Sequence, residues 1–246
     1  MNYVKVLSLV TGMVIAGISL QAQTLAEIIN KNTDAMGGAE KLKAIKTQYT
    51  EGSMEIQGMQ VPIRRWVKQG EAMRLEFEIM GTTNVQVVTK DMGWQFMPIA
   101  QKTAPEDIDP TVLKLMKSQL DVTGELFDYA AKGKKVELLG KDTVNGAPAY
   151  KLKVVSAENI SGIAYLDAQT FYLVKATNVL EINGQKGEMV TMLSDYKKTP
   201  DGYAYPGTTE QSPMGQGMKI NITKIEVNQP IADSLFEKPA SKPDVK

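Results

Sequence analysis

The strongest constraint on the fold is a period-two alternation of apolar and charged side chains between residues 72 and 80. The apolar members are Met73, Leu75, Phe77 and Ile79, and the charged members between them are Arg74, Glu76 and Glu78. Successive side chains of a β-strand point to opposite faces of its sheet. The pattern therefore predicts an antiparallel strand with one buried face.

Comparable runs occupy most of the chain. Around the first run they lie at residues 49–57, 60–69, 84–90 and 93–97, separated by short turns that contain Gly or Asp. After an interruption they resume at residues 135–140, 148–155, 161–167, 171–181, 188–197, 203–211 and 217–227. About twelve strands without alternating strand–helix units predict a mainly β chain of the α+β class. We expect a single antiparallel sheet, strongly curved or partly closed into a barrel, with helices packed on it.

Capping signals and helical periodicity predict the helices. Thr24 and Glu27 have the spacing of a capping box, and Asp109 followed by Pro110 is typical of an N-cap with proline at the first helical position. The predicted helices cover residues 25–36, 39–45 and 111–120, and a further helical turn is predicted around residues 125–131.

The N-terminus has the pattern of a secretory signal peptide. Lys5 precedes an apolar stretch at residues 6–20, which is shorter than the roughly 20 residues that a membrane-spanning helix needs. Small residues follow, and we expect cleavage after Ala22, so residues 1–22 are the predicted signal peptide. The remainder is predicted to be one domain over residues 23–237, followed by a flexible tail at residues 238–246.

Composition excludes several kinds of chemistry. The chain has no histidine and no cysteine, which rules out Ser-His-Asp triads, Cys-His pairs, HExxH zinc sites and CxxC redox pairs. We therefore expect no catalytic residues, no metal and no cofactor, although carboxylates and lysines remain available for acid–base chemistry. The 28 basic and 28 acidic residues balance. The chain therefore lacks the basic excess that is typical of nucleic-acid-binding proteins, and we expect no nucleic-acid partner.

Four phrases carry a resemblance to a known family through their order and spacing. They read AEIINKNTDAMGGAEKLKAIKT, MRLEFEIMGTTNVQVVTKDMGWQFMP, AYKLKVVSAENISGIAYLDAQTFYLVKA, and SDYKKTPDGYAYPG with KIEVNQPIADSLFEKP. Taken together they resemble the LolA-like family of periplasmic lipoprotein carriers, in particular its divergent branch of outer-membrane lipoprotein-sorting proteins. The resemblance covers nearly all of the chain after residue 22.

The resemblance implies a fold and a function. The implied fold is an unclosed β-barrel of about 11–12 strands, with helices covering its open side and an apolar cavity inside. The implied function is that of a periplasmic carrier or binder, not an enzyme, which sequesters lipoprotein acyl chains or lipids for transfer toward the outer membrane. Implied partners are an acylated lipoprotein or lipid and transfer partners at the inner and outer membranes. We expect transient membrane contact only, and a monomer.

Candidate site residues lie on successive predicted strands. The predicted apolar cavity wall consists of Met73, Leu75, Phe77, Ile79, Val85, Val87, Trp94 and Phe96, for each of which ordinary core packing is the alternative. Arg64 and Arg65 are adjacent in one strand and point to opposite faces. Whichever faces inward is predicted to contact a head group or to latch the helical lid, and a solvated strand face is the alternative for both. In the resembled carriers an arginine controls lid closure, whereas the corresponding segment here reads Lys68-Gln69-Gly70.

Two other functions stay open at this point. In an envelope lipid sensor, a bound lipid would alter contact with a partner protein, and an exposed apolar or acidic patch would favour that function. A carboxylate-dependent hydrolase would place two inward carboxylates roughly 5 to 10 Å apart across a cleft. The alternation around Glu76 and Glu78 directs these acids outward, and capping explains Asp107 and Asp109, so the hydrolase is disfavoured.

Overall fold

One continuous antiparallel sheet organises the molecule, and the computed structural model describes residues 23–182, 185–213 and 217–239. The strands are β1 (Thr47–Ile56), β2 (Met59–Lys68), β3 (Ala72–Ile79), β4 (Thr82–Thr89), β5 (Gly93–Phe96), β6 (Glu106–Asp107), β7 (Lys135–Val144), β8 (Ala147–Val155), β9 (Ser161–Asp167), β10 (Leu173–Ile182), β11 (Gln185–Lys198), β12 (Ala204–Pro213) and β13 (Met218–Val227). The α-helices are α1 (Leu25–Ala35), α2 (Ala39–Ala44) and α3 (Pro110–Met116), and 3₁₀ helices span Pro98–Ala100, Lys117–Leu120 and Asp233–Phe236.

The 13 strands lie in the order β6-β5-β4-β3-β2-β1-β13-β12-β11-β10-β9-β8-β7. Hairpins join almost all neighbours, and β1 pairs with β13 to connect the two halves of the sheet. In the described part of the chain, β6 and β7 each pair with a single neighbour and form the two free edges. The sheet is therefore an unclosed β-barrel, which confirms the predicted fold class.

The sequence patterns locate the elements closely. All twelve predicted strands are present, and the additional strand β6 has only two residues, too few to show an alternation. Residues 125–131, predicted as a helical turn, instead form a series of non-helical turns.

The predicted signal peptide lies outside the described residues, as does most of the predicted tail. Among the described residues, no helix has the length and apolar character needed to span a membrane.

Local capping explains where two helices begin. The Thr24 backbone N–H donates to the Glu27 carboxylate at 2.8 Å, and the Glu27 N–H donates to the Thr24 hydroxyl at 3.3 Å, as predicted for a capping box. At α3, the Asp109 carboxylate accepts hydrogen bonds from the backbone N–H groups of Thr111 and Val112. These hydrogen bonds hold the pKa of Asp109 below its usual range, so this acid serves as a cap.

Residues 110–127 form the lid segment. The inner face of the sheet is the face that packs against α1, α2 and this lid segment. Two core clusters fill this space. The first joins Leu42 and Ile45 to Val67, Met73, Val88, Leu120, Val122, Phe127 and Tyr203. The second joins Ile28 and Ile29 of α1 to Leu126, Tyr150, Leu152, Val154, Ala164 and Leu166. A cavity lies between the two clusters.

The outer face of β2–β5 is covered by the C-terminal segment, residues 228–239. Phe236 and its neighbours Ile231 and Leu235 pack on Val85, Val87 and Trp94. The Trp94 indole N–H donates to the Phe236 carbonyl at 3.1 Å. This segment therefore buries a second apolar surface on the side of the sheet away from the helices.

Close contact between β1 and β13 predicts a difference between two glycine substitutions. A Cβ atom at Gly52 would lie 2.2 Å from the Asn221 carbonyl oxygen, a backbone atom, whereas a Cβ at Gly217 would have no neighbour within 4 Å. We expect Gly52→Ala to lower the free energy of unfolding by about 1–3 kcal/mol, because the strands must separate at the bulge between Glu51 and Gly52. Urea unfolding measures this loss.

Gly217→Ala is the matched control for this prediction. It makes the same chemical change near the start of β13, and we expect it to change the free energy of unfolding by less than about 0.5 kcal/mol. Equal effects of the two substitutions would contradict the close strand contact at Gly52.

Candidate ligand-binding cavity

A mostly apolar cavity of about 290 Å³ lies between α1, the lid segment and the inner face of the sheet. Its lining comes from Asn32 of α1 and the following Met36, from residues 121–127 of the lid segment, and from Tyr203, which precedes β12. The strands contribute Gln48, Thr50, Arg65, Leu173, Leu193, Tyr196, Tyr205, Pro206, Thr209, Ile222 and Ile225. The volume is at the lower end of the range of typical small-molecule sites, about 300–1,000 Å³.

Apolar side chains from both sides form most of the cavity wall. Leu126 and Phe127 contribute from the lid segment, and Ile222 and Ile225 contribute from β13. Ile222 lies opposite Gly52 in the strand pairing. Because glycine has no side chain, the backbone of β13 can approach β1 closely at this point.

Buried polar groups occupy one side of the cavity. The Tyr203 hydroxyl donates to the Val122 carbonyl at 3.0 Å and accepts from the Gln48 amide at 3.4 Å. Thr50 donates to the Gln48 side-chain oxygen at 3.5 Å. Burial raises the pKa of Tyr203, so its hydroxyl stays protonated and remains a hydrogen-bond donor. These contacts connect β1 to the lid segment.

Tyr196 of β11 also lines the cavity. Its hydroxyl donates to the Leu173 carbonyl at 2.8 Å, and its ring stacks on Tyr172 with 4.0 Å between ring centroids. Burial raises the pKa of Tyr196 well above its usual range. This side chain is therefore a neutral, fixed part of the wall between β10 and β11.

The two candidate arginines point to opposite faces, as the strand geometry requires. Arg65 lies on the inner face, lines the cavity and donates a hydrogen bond to the Gln119 backbone carbonyl in the lid segment. Burial lowers the pKa of Arg65 to about 10, which leaves it cationic at neutral pH. Arg64 lies on the outer face, where it pairs with Glu76 at 2.9 Å.

The turn between β2 and β3 also holds the lid segment. The Gln69 side chain accepts from the Val122 N–H at 2.8 Å and donates to the Asp121 carboxylate at 3.1 Å. The Gly70 N–H donates to the Leu120 carbonyl at 2.8 Å. The segment Lys68-Gln69-Gly70, which lacks the expected arginine, thus contacts the lid through Gln69 and backbone groups, and Arg65 supplies a guanidinium three residues before it.

An ion-pair cluster lies at the end of the lid segment. Asp121 is 2.9 Å from the Lys132 ammonium and 3.5 Å from the Lys134 ammonium. Burial alone raises the pKa of Asp121, but the hydrogen bond and charge of Lys132 outweigh this effect and lower it. Asp121 is therefore a carboxylate at neutral pH and balances one of the two lysines.

The structure contradicts the prediction that eight apolar residues form one cavity wall. In the β3–β4 pairing, Met73 lies opposite Val88, whereas Val85 and Val87 lie opposite Glu76 and Arg74. The inner face therefore carries Met73, Leu75, Phe77 and Ile79, and the outer face carries Val85, Val87, Trp94 and Phe96. The C-terminal segment packs on these four outer-face residues.

The predicted inner-face residues also lie outside the cavity lining. Met73 is fully buried in the core cluster with Leu42, and Leu75 packs against that cluster. Arg65 alone among the ten predicted site residues lines the cavity. The lining from the lid segment was missed because residues 121–127 show no periodic pattern, and strand residues such as Ile222 and Ile225 carry no signal that separates a cavity wall from a core.

An unclosed antiparallel barrel with helices and a lid segment over its inner face defines a class of half-barrel proteins. No protein-family model matches the chain, and no curated protein sequence matches it. Among solved structures, an outer membrane lipoprotein-sorting protein domain of Vibrio parahaemolyticus is similar, with a TM-score of 0.56 and 13% identity over 85% of this chain and 94% of that chain.

A LolA superfamily protein of Nitrosomonas europaea is similar to the same extent, with a TM-score of 0.57 and 12% identity over 88% of this chain and 99% of that chain. At this level of identity, the likeness establishes the fold. The protein has the LolA-like fold, as the sequence phrases indicated.

Proposed function

We propose that this protein binds an acyl chain of a lipid or lipoprotein in the inner cavity and shields it from water. The observation that carries the proposal is the mostly apolar cavity that lies between the lid segment and the inner face. The two similar structures, one of them a lipoprotein-sorting protein domain, support the same kind of ligand. Sequestration requires no covalent step, and we propose that the protein is not an enzyme.

The size of the cavity sets how much of a ligand it holds. A methylene group is similar in size to a water molecule, whose share of liquid volume is about 30 Å³, so a cavity of about 290 Å³ holds on the order of ten methylene groups. At about 0.8 kcal/mol each, these contribute on the order of 8 kcal/mol before the costs of association. The cavity thus fits part of one acyl chain, and a multiply acylated cargo requires the lid segment to move.

Hydrogen bonds and apolar packing together hold the lid segment. Arg65 and Gly70 donate hydrogen bonds to carbonyls of the lid segment, and the Val122 N–H of the lid segment donates to the Gln69 side chain. A hydrogen bond of this kind contributes about 0.5–1.5 kcal/mol net, because water replaces it on opening. Opening the lid segment must also expose Leu120, Val122 and Phe127 of the first core cluster, so the hydrogen bonds are the smaller part of its cost.

We further propose a location and a direction of transfer. The apolar stretch at residues 6–20 supports secretion to the periplasm. In the periplasm, the protein would carry acyl chains toward the outer membrane, with transient membrane contact and with partners at the inner and outer membranes. We also propose that it acts as a monomer.

The geometry disfavours the hydrolase alternative. Asp121 and Glu125 both line the cavity, but a glycosidase needs one carboxylic acid with a raised pKa. The pKa of Asp121 is lowered by Lys132, so Asp121 does not have the property of a general acid.

Filling the cavity tests the proposal. Ile222→Trp places a large ring in the cavity, and we expect it to weaken palmitate binding at least about tenfold, because it displaces several methylene groups. Isothermal titration calorimetry of the full chain after signal-peptide removal measures the dissociation constant. Native mass spectrometry of protein purified from its own envelope without detergent identifies a natural ligand.

Lys219→Trp is the matched control, because Lys219 is an exposed residue on the same strand. We expect its palmitate affinity to equal that of the wild type. A wild-type protein that has no acyl adduct and binds no added palmitate would overturn the proposed function. Thermal unfolding of both variants establishes that each is folded.

A further inference from the structure

A second, smaller pocket of about 230 Å³ adjoins the cavity at the end of the lid segment. It shares Asp121 and Glu125 with the cavity lining. Its remaining lining comes from Gln69, Gly70, Lys117, Ser118, Leu120, Lys132, Lys134, Ser156, Ala157 and Glu158. The cavity and this pocket are therefore neighbours that have these two side chains in common.

The buried charges in this pocket do not balance. The side chains of Asp121, Lys132 and Lys134 are 16%, 20% and 10% exposed. Lys132 is well coordinated, donating to Asp121 at 3.1 Å, to the Thr123 hydroxyl at 2.8 Å and to the Gly124 carbonyl at 2.8 Å. One carboxylate thus faces two ammonium groups.

Lys134 is the group left over. Its ammonium is buried, lines the pocket and makes no hydrogen bond to any described residue. Its nearest counter-charge is the Asp121 oxygen Oδ2, which is 3.5 Å from Lys134 and 2.9 Å from Lys132 and likewise accepts no hydrogen bond from a described residue. A buried ammonium without hydrogen-bond partners is strongly disfavoured. An anionic oxygen in the pocket would supply both the missing acceptor and the missing charge.

We propose that Lys134, with Lys132 beside it, binds the anionic head group of the ligand whose acyl chain occupies the cavity. The inference rests on the proposed function and extends it to a ligand class: an acyl chain that ends in a carboxylate or a phosphate. The charge on Lys134 is what recognises either group. Charge-assisted hydrogen bonds of this kind are among the stronger ones in proteins.

The acidic residues at the rim limit the head group. Glu125, which is exposed, and Glu158, which is half-buried, also line the pocket, so solvent and salt screen their charges more than those of the buried cluster. They leave the buried part of the pocket positive while repelling additional negative charge outside it. The site therefore favours a head group with one compact anionic group.

Three ligands with the same chain test this inference. They are palmitate, hexadecyl phosphate and hexadecanol, and their dissociation constants are measured by calorimetry on the full chain after signal-peptide removal. We expect the wild type to bind at least one of the two anions about tenfold or more tightly than the alcohol. The tighter of the two anions then assigns the head group as carboxylate or phosphate.

Lys134→Met removes the charge and keeps most of the apolar stem. We expect this variant to lose the preference for the anion, while its affinity for hexadecanol stays within about twofold of the wild type. Retained hexadecanol binding also shows that the variant is folded. Lys135→Met is the matched control, because Lys135 is the adjacent and exposed lysine, and we expect it to keep the preference.

The outcomes separate this inference from the proposed function. Equal affinity for all three ligands in the wild type, or an unchanged preference in Lys134→Met, would refute the anion site and leave the acyl cavity standing. Failure of the wild type to bind any of the three would refute both.

Discussion

Replacing Asp121 by alanine is expected to lower the free energy of unfolding by about 3–5 kcal/mol, because it leaves two buried ammonium groups without their shared carboxylate. The substitution also removes the acceptor of hydrogen bonds from Gln69 and Thr123. Urea unfolding at neutral pH, extrapolated linearly to water, measures the loss. We expect the lid segment to become the most mobile part of the structure.

The control for Asp121→Ala removes the charges together. In a triple variant with Asp121→Ala, Lys132→Met and Lys134→Met, no uncompensated ammonium remains. We expect this variant to recover most of the lost stability, since replacing a whole buried ion cluster with apolar groups is often close to neutral. Equal destabilisation of the single and triple variants would show that the charge imbalance is not the cause.

The effect of Asp121→Ala is also expected to depend on pH. The pKa of Asp121 is lowered on folding, so its contribution to stability is fully present above the unfolded value of about 3.9. That contribution is lost as the pH falls through the lower pKa of the folded state. The difference between wild type and Asp121→Ala should therefore shrink at acid pH, and a constant difference would contradict the ion pairing.

The fold was largely readable from the sequence because its elements are specified locally. The alternation at residues 72–80 identifies β3 without tertiary information, and Thr24 and Glu27 mark the start of α1 through hydrogen bonds made within one turn. Strand β6 was missed because its pairing depends on β5 alone and spans two residues. A periodic side-chain pattern identifies an element only when the element is long enough for the pattern to repeat.

The faces of β4 and β5 were assigned incorrectly for a reason that lies in one turn. Ile79 pairs with Thr82 across the two-residue loop of Met80 and Gly81. With a two-residue loop, an odd-numbered residue of β3 shares its face with an even-numbered residue of β4. The wall prediction instead combined odd-numbered residues from both strands.

Composition could not correct this error, because β4 is apolar on both faces. Val88 is buried on the inner face, and Val85 and Val87 are buried on the outer face. The outer face is buried only because the C-terminal segment, distant in sequence, covers it. The same limit applies to the anion pocket, since the sequence gives no sign that Lys134 is buried while Lys135 is exposed.

Replacing Trp94 by alanine is the second change with a large expected effect. Trp94 is 1% exposed and forms the centre of the contact between the outer face and the C-terminal segment. Losing its ring leaves a cavity and should lower the free energy of unfolding by about 3–5 kcal/mol. Its removal also leaves the Phe236 carbonyl without the indole donor, so we expect faster proteolysis within residues 228–239.

Trp94→Phe separates the hydrogen bond from the packing. It keeps an aromatic ring against Val85 and Val87 but cannot donate to the Phe236 carbonyl, so we expect a smaller loss of about 1–2 kcal/mol. Urea unfolding gives both values, and limited proteolysis followed by mass spectrometry locates the cleavage. A loss below about 1 kcal/mol for Trp94→Ala, with the C-terminal segment still protected, would show that this segment is held by its ion pairs, such as Lys238 with Asp107, and not by the apolar contact at Trp94.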